Sequence, residues 1–71
     1  MNAHQEERFA ILCAEVAVAS EAMNTIHALY PDAGSKIERA KARAFREPLL
    51  VPLRQACIAA HFAKIAILKG R

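Results

Sequence analysis

The chain has 71 residues and a mass of 7.8 kDa, with 55% hydrophobic side chains, ten basic and seven acidic residues, and a formal net charge of +3. A chain this short makes one domain at most, and a core of that size is marginal unless disulfides, a metal or self-association support it. Cys13 and Cys57 lie inside apolar stretches and read as small hydrophobes in a reducing compartment, while His4, His27 and His61 show no recurring ligand spacing, so no metal or other cofactor is expected. Self-association is the option left.

Strands are not expected. Alanine is abundant, glycine occurs only at Gly34 and Gly70, and no alternating apolar run is bounded by turn residues. The fold class is therefore all-α: a bent helical hairpin, with two long or three helices, assembling as a homodimeric helical bundle. A tight three-helix monomer is the competing arrangement.

The first helix is expected over about 3–29. Phe9, Leu12, Val16, Ala19, Met23, Ile26 and Tyr30 follow an unbroken 3-4 spacing. A thinner row of Ile11, Val18, Ala22 and Leu29 runs beside this seam, and Glu6, Glu7, Glu21, Asn24 and Thr25 lie opposite. A seam with one flanking row is the pattern of a bundle helix. Residues 30–34 form a turn, because Pro31 disfavours helical geometry at Tyr30 and Asp32 and Gly34 supply turn chemistry. Ser35 and Glu38 then fit a capping box that opens a basic helix over 35–46.

Pro48 and Pro52 predict a kink or break over 47–52, since only one proline can occupy the tolerant first helical position. An apolar helix follows over 52–69. In it Ala56, Ala59, Ala63 and Ala66 form a narrow stripe, edged on one side by Val51, Ile58, Phe62 and Ile65 and on the other by Leu49, Leu53, Cys57 and Ile67. Arg54, His61 and Lys64 are left for water. This arc is wider than one neighbouring helix covers. Val51, Ile58, Phe62 and Ile65 with Ala56, Ala59, Ala63 and Ala66 are therefore the candidate self-association surface. The run from Pro48 to Leu68 matches a membrane span in length, but Arg54, Gln55, His61 and Lys64 interrupt it, so no membrane span is expected. Interfacial membrane binding is the weaker alternative.

Charge is segregated. Residues 1–33 hold one basic and five acidic side chains, and residues 34–71 hold nine basic and two acidic ones. Antiparallel packing sets the two parts side by side. Lys36, Arg39, Lys41, Arg43 and Arg46 make the densest basic patch, with Phe45 beside it as either an aromatic anchor or a core residue. The patch suits an acidic protein surface. It suits phosphates less well, because aromatics for base stacking and polar side chains for base edges are missing from it.

Glu15, near the apolar seam, and His27 are the only candidate acid-base pair, yet twelve residues separate them along the chain. No catalytic motif is present, so no enzyme is expected. The reading is a small cytoplasmic, non-enzymatic adaptor or inhibitor, homodimeric, that masks another protein. A nucleic-acid-binding regulator using residues 36–46 is the first alternative, and a structural subunit of a larger assembly the second. In shape such a dimer resembles small helical regulators of plasmids and phages. No motif is shared with them, and shape does not transfer function.

Overall fold

The computed structural model describes residues 2–70 and contains two helices, α1 (Ala3–Leu29) and α2 (Lys36–Lys69), with no strand among those residues. Asn2 caps α1 with a complete capping box: its side chain accepts from the Gln5 amide, and the Gln5 side chain accepts from the Asn2 amide. Ser35 caps α2 by accepting from the Glu38 amide. Here the Glu38 carboxylate accepts a bond from the Ser35 hydroxyl, where the capping box anticipated one from the Ser35 amide. Between the helices Gly34 takes a φ of +87°, a left-handed conformation that only glycine adopts without strain.

α2 runs through Pro48 and Pro52 as a single 34-residue helix, which decides the open choice between one helix and two. A proline lacks the amide that its i−4 carbonyl needs, so Ala44 and Pro48 lose their helical donors. Pro48 and Pro52 are exposed, and so is Ala44, which lets water reach those carbonyls. On a neighbouring flank of the helix Glu47 and Arg54, two turns apart, form a bidentate ion pair at 2.6 and 3.2 Å that spans the proline segment. This bond holds the Glu47 carboxyl below its ordinary range and the Arg54 guanidinium above its own.

Packing follows the 3-4 seams. Phe9, Leu12, Val16, Ala19, Met23, Ile26 and Tyr30 are each buried or half-buried, so the whole expected seam of α1 faces inward. The matching seam of α2 is Ala42, Arg46, Leu50, Leu53, Cys57, Ala60, Lys64 and Ile67, with Leu50 at its centre only 1% exposed. Lys64 sits over the Phe9 ring at 5.7 Å and Arg46 bonds the Tyr30 carbonyl, so the helices run antiparallel along their length. Lys64 therefore belongs to the packing side, and not to the water-facing strip with Arg54 and His61. Its stem lies along the seam while its ammonium meets an aromatic face.

A two-helix hairpin has no interior beyond this one seam. It extends 53 × 16 × 13 Å with a radius of gyration of 16.3 Å, against about 11 Å for a compact domain of 71 residues. Its accessible surface is 5283 Å², whereas a compact protein of this mass exposes about 4,400 Å². Large apolar side chains contribute to this excess. Ile11, Val18, Leu29, Ile37, Phe45, Leu49, Ile58 and Phe62 are among the large side chains left exposed.

Candidate interaction surfaces

At 100° per residue, each helix presents an inner seam, two flanks and an outer face. The seam contacts above fix which flank of α1 lies beside which flank of α2, and the hairpin acquires two unlike broad sides.

One broad side is apolar. The Ile11, Val18, Ala22 and Leu29 row of α1 borders it, and on α2 it is continued by Phe45, Leu49, Ala56 and Ala63. A groove of about 370 Å³ runs along the α1 flank, lined by Ile11, Ala14, Glu15, Val18, Ala19 and Ala22 and touching α2 at Leu53. Val18 is 68% exposed beside it. Phe45 stacks on Tyr30 with ring centroids 6.0 Å apart and remains exposed, so it is an accessible aromatic at the turn end of this side. Glu15, although near the apolar seam, is exposed at the groove, because α2 leaves that flank of α1 uncovered. His27 is exposed too, and the candidate acid-base pair is not assembled. Cys13 is exposed and Cys57 half-buried, both free.

The opposite broad side is polar. It carries Cys13, Ser20 and His27 from α1, and Lys36, Arg43, Glu47, Arg54 and His61 from α2. A shallow recess of about 290 Å³ at its turn end is lined by Lys36, Arg39, Ala40 and Arg43. Arg46, expected on this exposed basic face, is instead buried at 8% exposure. Its guanidinium donates to the Tyr30 carbonyl at 3.0 Å and meets the Asp32 carboxylate at 3.1 Å. Arg43 lies 3.7 Å from the same carboxylate. The hydrogen bond from Arg46, aided by the charges of Arg46, Arg43 and His27, holds the Asp32 carboxyl below its ordinary range. The physical reason is the turn: it leaves a carbonyl and a carboxylate at the open end of the seam, and an inward-pointing arginine can satisfy both. The Arg46 Nε has no partner in this arrangement. Lys41 projects from the other flank of α2, so Lys36, Arg39 and Arg43 are what remains of a continuous basic face.

The outer face of α2, farthest from α1, carries Val51, Ile58 and Phe62, the last 65% exposed. α1 covers the Leu53 and Cys57 edge of the alanine stripe. Ala56, Ala59 and Ala66 stay exposed, and Ala63 and Ile65 are half-buried. The expected self-association residues are thus split between the apolar broad side, the outer face and, for Ile65, the polar side near Arg54.

Both helices are long and apolar enough to cross a membrane, and only 11% of each qualifying stretch is buried. This corrects the expectation that no segment could span: Arg54, His61 and Lys64 lower the apolarity of α2 less than its flanking Leu, Ile and Val residues raise it, and α1 passes the same test. Among the described residues no group of three or more His, Cys, Asp or Glu side chains is placed to hold a metal ion. No family model, curated protein or solved structure matches the chain.

Proposed function

We propose that the chain is a non-catalytic adaptor or inhibitor that works by helix docking, as a homodimeric bundle that masks an acidic surface of another protein. The observation that carries this reading is the outer face of α2: Val51, Ile58 and Phe62 form an uncovered apolar ridge, and the Lys36, Arg39 and Arg43 cluster lies toward the turn end of the same helix. An exposed aromatic within an apolar strip is the composition of a binding hot spot, and the arginines stand about 28 Å or more along the same helix from Phe62, so a target would meet the two along an extended contact. Arginine forks at Arg39 and Arg43 suit carboxylates on the target.

The nucleic-acid reading loses support from the placement of Arg46, which is engaged inside the turn, and of Arg43, which shares Asp32. Each lost phosphate contact shallows the salt dependence by about one unit of log-log slope. A second reading has an observation of its own. Two apolar helices joined by a short turn also fit a hairpin inserted in, or laid against, a bilayer, with lipid covering the exposed rows.

The test is capture from a lysate of the source cells with wild type, Arg39→Glu/Arg43→Glu and Phe62→Glu in parallel. Retention of one protein by wild type, and its loss from both variants, is the expected result. Retention that ignores both variants sinks the reading. So does low-salt binding of a labelled 20-nucleotide single strand or duplex that the arginine variant abolishes.

A further inference from the structure

The apolar broad side and the outer face of α2 are different surfaces, and they call for different occupants. A ridge one helix wide fits a groove on something else. The broad side spans both helices and carries a groove along its α1 flank. We infer that this side is the seat of a second copy of the chain, and that two hairpins close face to face into a four-helix bundle through Ile11, Val18, Leu29, Phe45 and Leu49. The inference rests on the dimeric part of the proposed function and assigns its surface and geometry.

Area favours a second copy. The hairpin exposes about 900 Å² more than a compact protein of its mass, and a stable interface buries about 800 Å² on each partner. The outline of one broad side, 53 by 16 Å, encloses roughly 850 Å². One copy therefore has the size to cover the other, and each returns the other to an ordinary surface.

Charge decides the orientation. Laying two hairpins face to face by a twofold axis along their length puts α1 of each on α2 of the other, antiparallel. A twofold axis across the length puts α1 on α1 and α2 on α2. α1 is acidic, with Glu6, Glu7, Glu15 and Glu21 against Arg8, whereas α2 within the described residues has eight basic side chains against Glu38 and Glu47. Most of these charges project away from the covered side, so Glu15, near the middle of α1 on that side, decides: the crosswise axis brings the Glu15 side chains of the two copies together, whereas the lengthwise axis sets each against the more basic α2, and the lengthwise axis is selected. All adjacent helices are then antiparallel, both turns lie at one end, and the outer face of each α2 stays free. Ala56 and Ala63 allow the partner's α1 to approach closely. Among the described residues Glu15 is the one ionised side chain in the middle of the covered face, where a partner layer desolvates it.

Sedimentation equilibrium on the full chain over a dilution series tests the surface, with circular dichroism on each sample. Wild type is expected at twice the 7.8 kDa chain mass. Val18→Glu, which brings one unpaired carboxylate from each copy into the closed layer, is expected to weaken association about a hundredfold or more. Phe62→Glu, on an equally exposed side chain of the outer face, is expected to leave the dimer intact while abolishing partner capture. Glu15→Gln is expected to tighten it. For the orientation, chains with Cys13→Ser and Cys57→Ala are given either Val18→Cys or Ala56→Cys and mixed, so that disulfide dimers form in the mixture well above either sample alone. This arm reads the wild-type surface even if Val18→Glu unfolds. A helical monomer at all concentrations, or a helical chain that is monomeric in buffer and floats with vesicles of mixed neutral and anionic lipid, overturns the inference. Dissociation by Phe62→Glu but not Val18→Glu, no effect of Glu15→Gln, or cross-linking of Val18→Cys to itself as efficiently as in the mixture does the same. If the dimer stands while capture is indifferent to the arginine and Phe62 variants, only the masking function falls.

Discussion

Replacing Arg46 separates its two roles in the turn. Arg46→Met keeps most of the alkyl stem within the seam and removes the guanidinium that bonds the Tyr30 carbonyl at 3.0 Å and sits 3.1 Å from Asp32. A hydrogen bond from a charged donor contributes about 1.5–3 kcal/mol, and the ion pair adds little because Asp32 is half exposed. The expected loss for Arg46→Met is therefore about 2 kcal/mol, or a fall in Tm of roughly 10 °C for a chain of this size. Arg46→Ala also deletes buried methylenes at about 0.8 kcal/mol each, so its loss rises to about 4 kcal/mol. Desolvating the guanidinium and leaving its Nε unpartnered work in the opposite direction. Urea unfolding followed by circular dichroism, at one fixed chain concentration so that the proposed association does not enter the comparison, measures both variants. An Arg46→Met protein within about 0.5 kcal/mol of wild type would refute the assignment of Arg46 as a clamp on the turn, because the lost bond alone exceeds that value.

Asp32→Asn is expected to lower stability at neutral pH and to have no effect in strong acid. The folded pKa of Asp32 is depressed, so its contribution is complete above the unfolded value near 3.8 and is lost as pH falls through the lower folded value; urea midpoints at pH 7 and below pH 3 check the convergence. Pro48→Ala restores an amide to an exposed position within α2 and is expected to raise stability by about 1–3 kcal/mol, read as a higher urea midpoint with unchanged slope. Gly34→Ala is expected to cost about 1 kcal/mol or more, since φ is +87° and a Cβ there meets the Glu38 carboxylate. A Gly34→Ala chain as stable as wild type shows that the turn adopts another conformation in solution.

The two helices, their caps and the turn were legible in the residues because each depends on local chemistry. The 3-4 seam from Phe9 to Tyr30, the Pro31 to Gly34 break and the Ser35 cap are set by neighbours within a few positions. The Asn2 and Gln5 capping box is local in the same way, a capping residue with a glutamine three positions later. Pro48 and Pro52 left one helix or two undecided, because propensity penalises a proline without knowing which carbonyl loses its donor. Both orphaned carbonyls fall on the exposed side of α2, where water serves, and the Glu47 to Arg54 clasp spans the proline segment along a neighbouring exposed flank.

Tertiary structure decided which way long side chains turn and which flank meets α1. Arg46 looks like its neighbours Arg43 and Arg39 in sequence, and only the return of the chain at Asp32 gives it a carbonyl and a carboxylate to bury against. Lys64 and Glu15 are the converse pair. A lysine moved onto the seam because Phe9 offers it an aromatic face, and a glutamate moved out of it because one hairpin leaves one flank bare. The amount of apolar surface is fixed by the residues alone. Its division into a covered seam, a broad side and an outer ridge is fixed by the antiparallel register of α1 and α2, since residues far apart along the chain share a face only once the hairpin has closed.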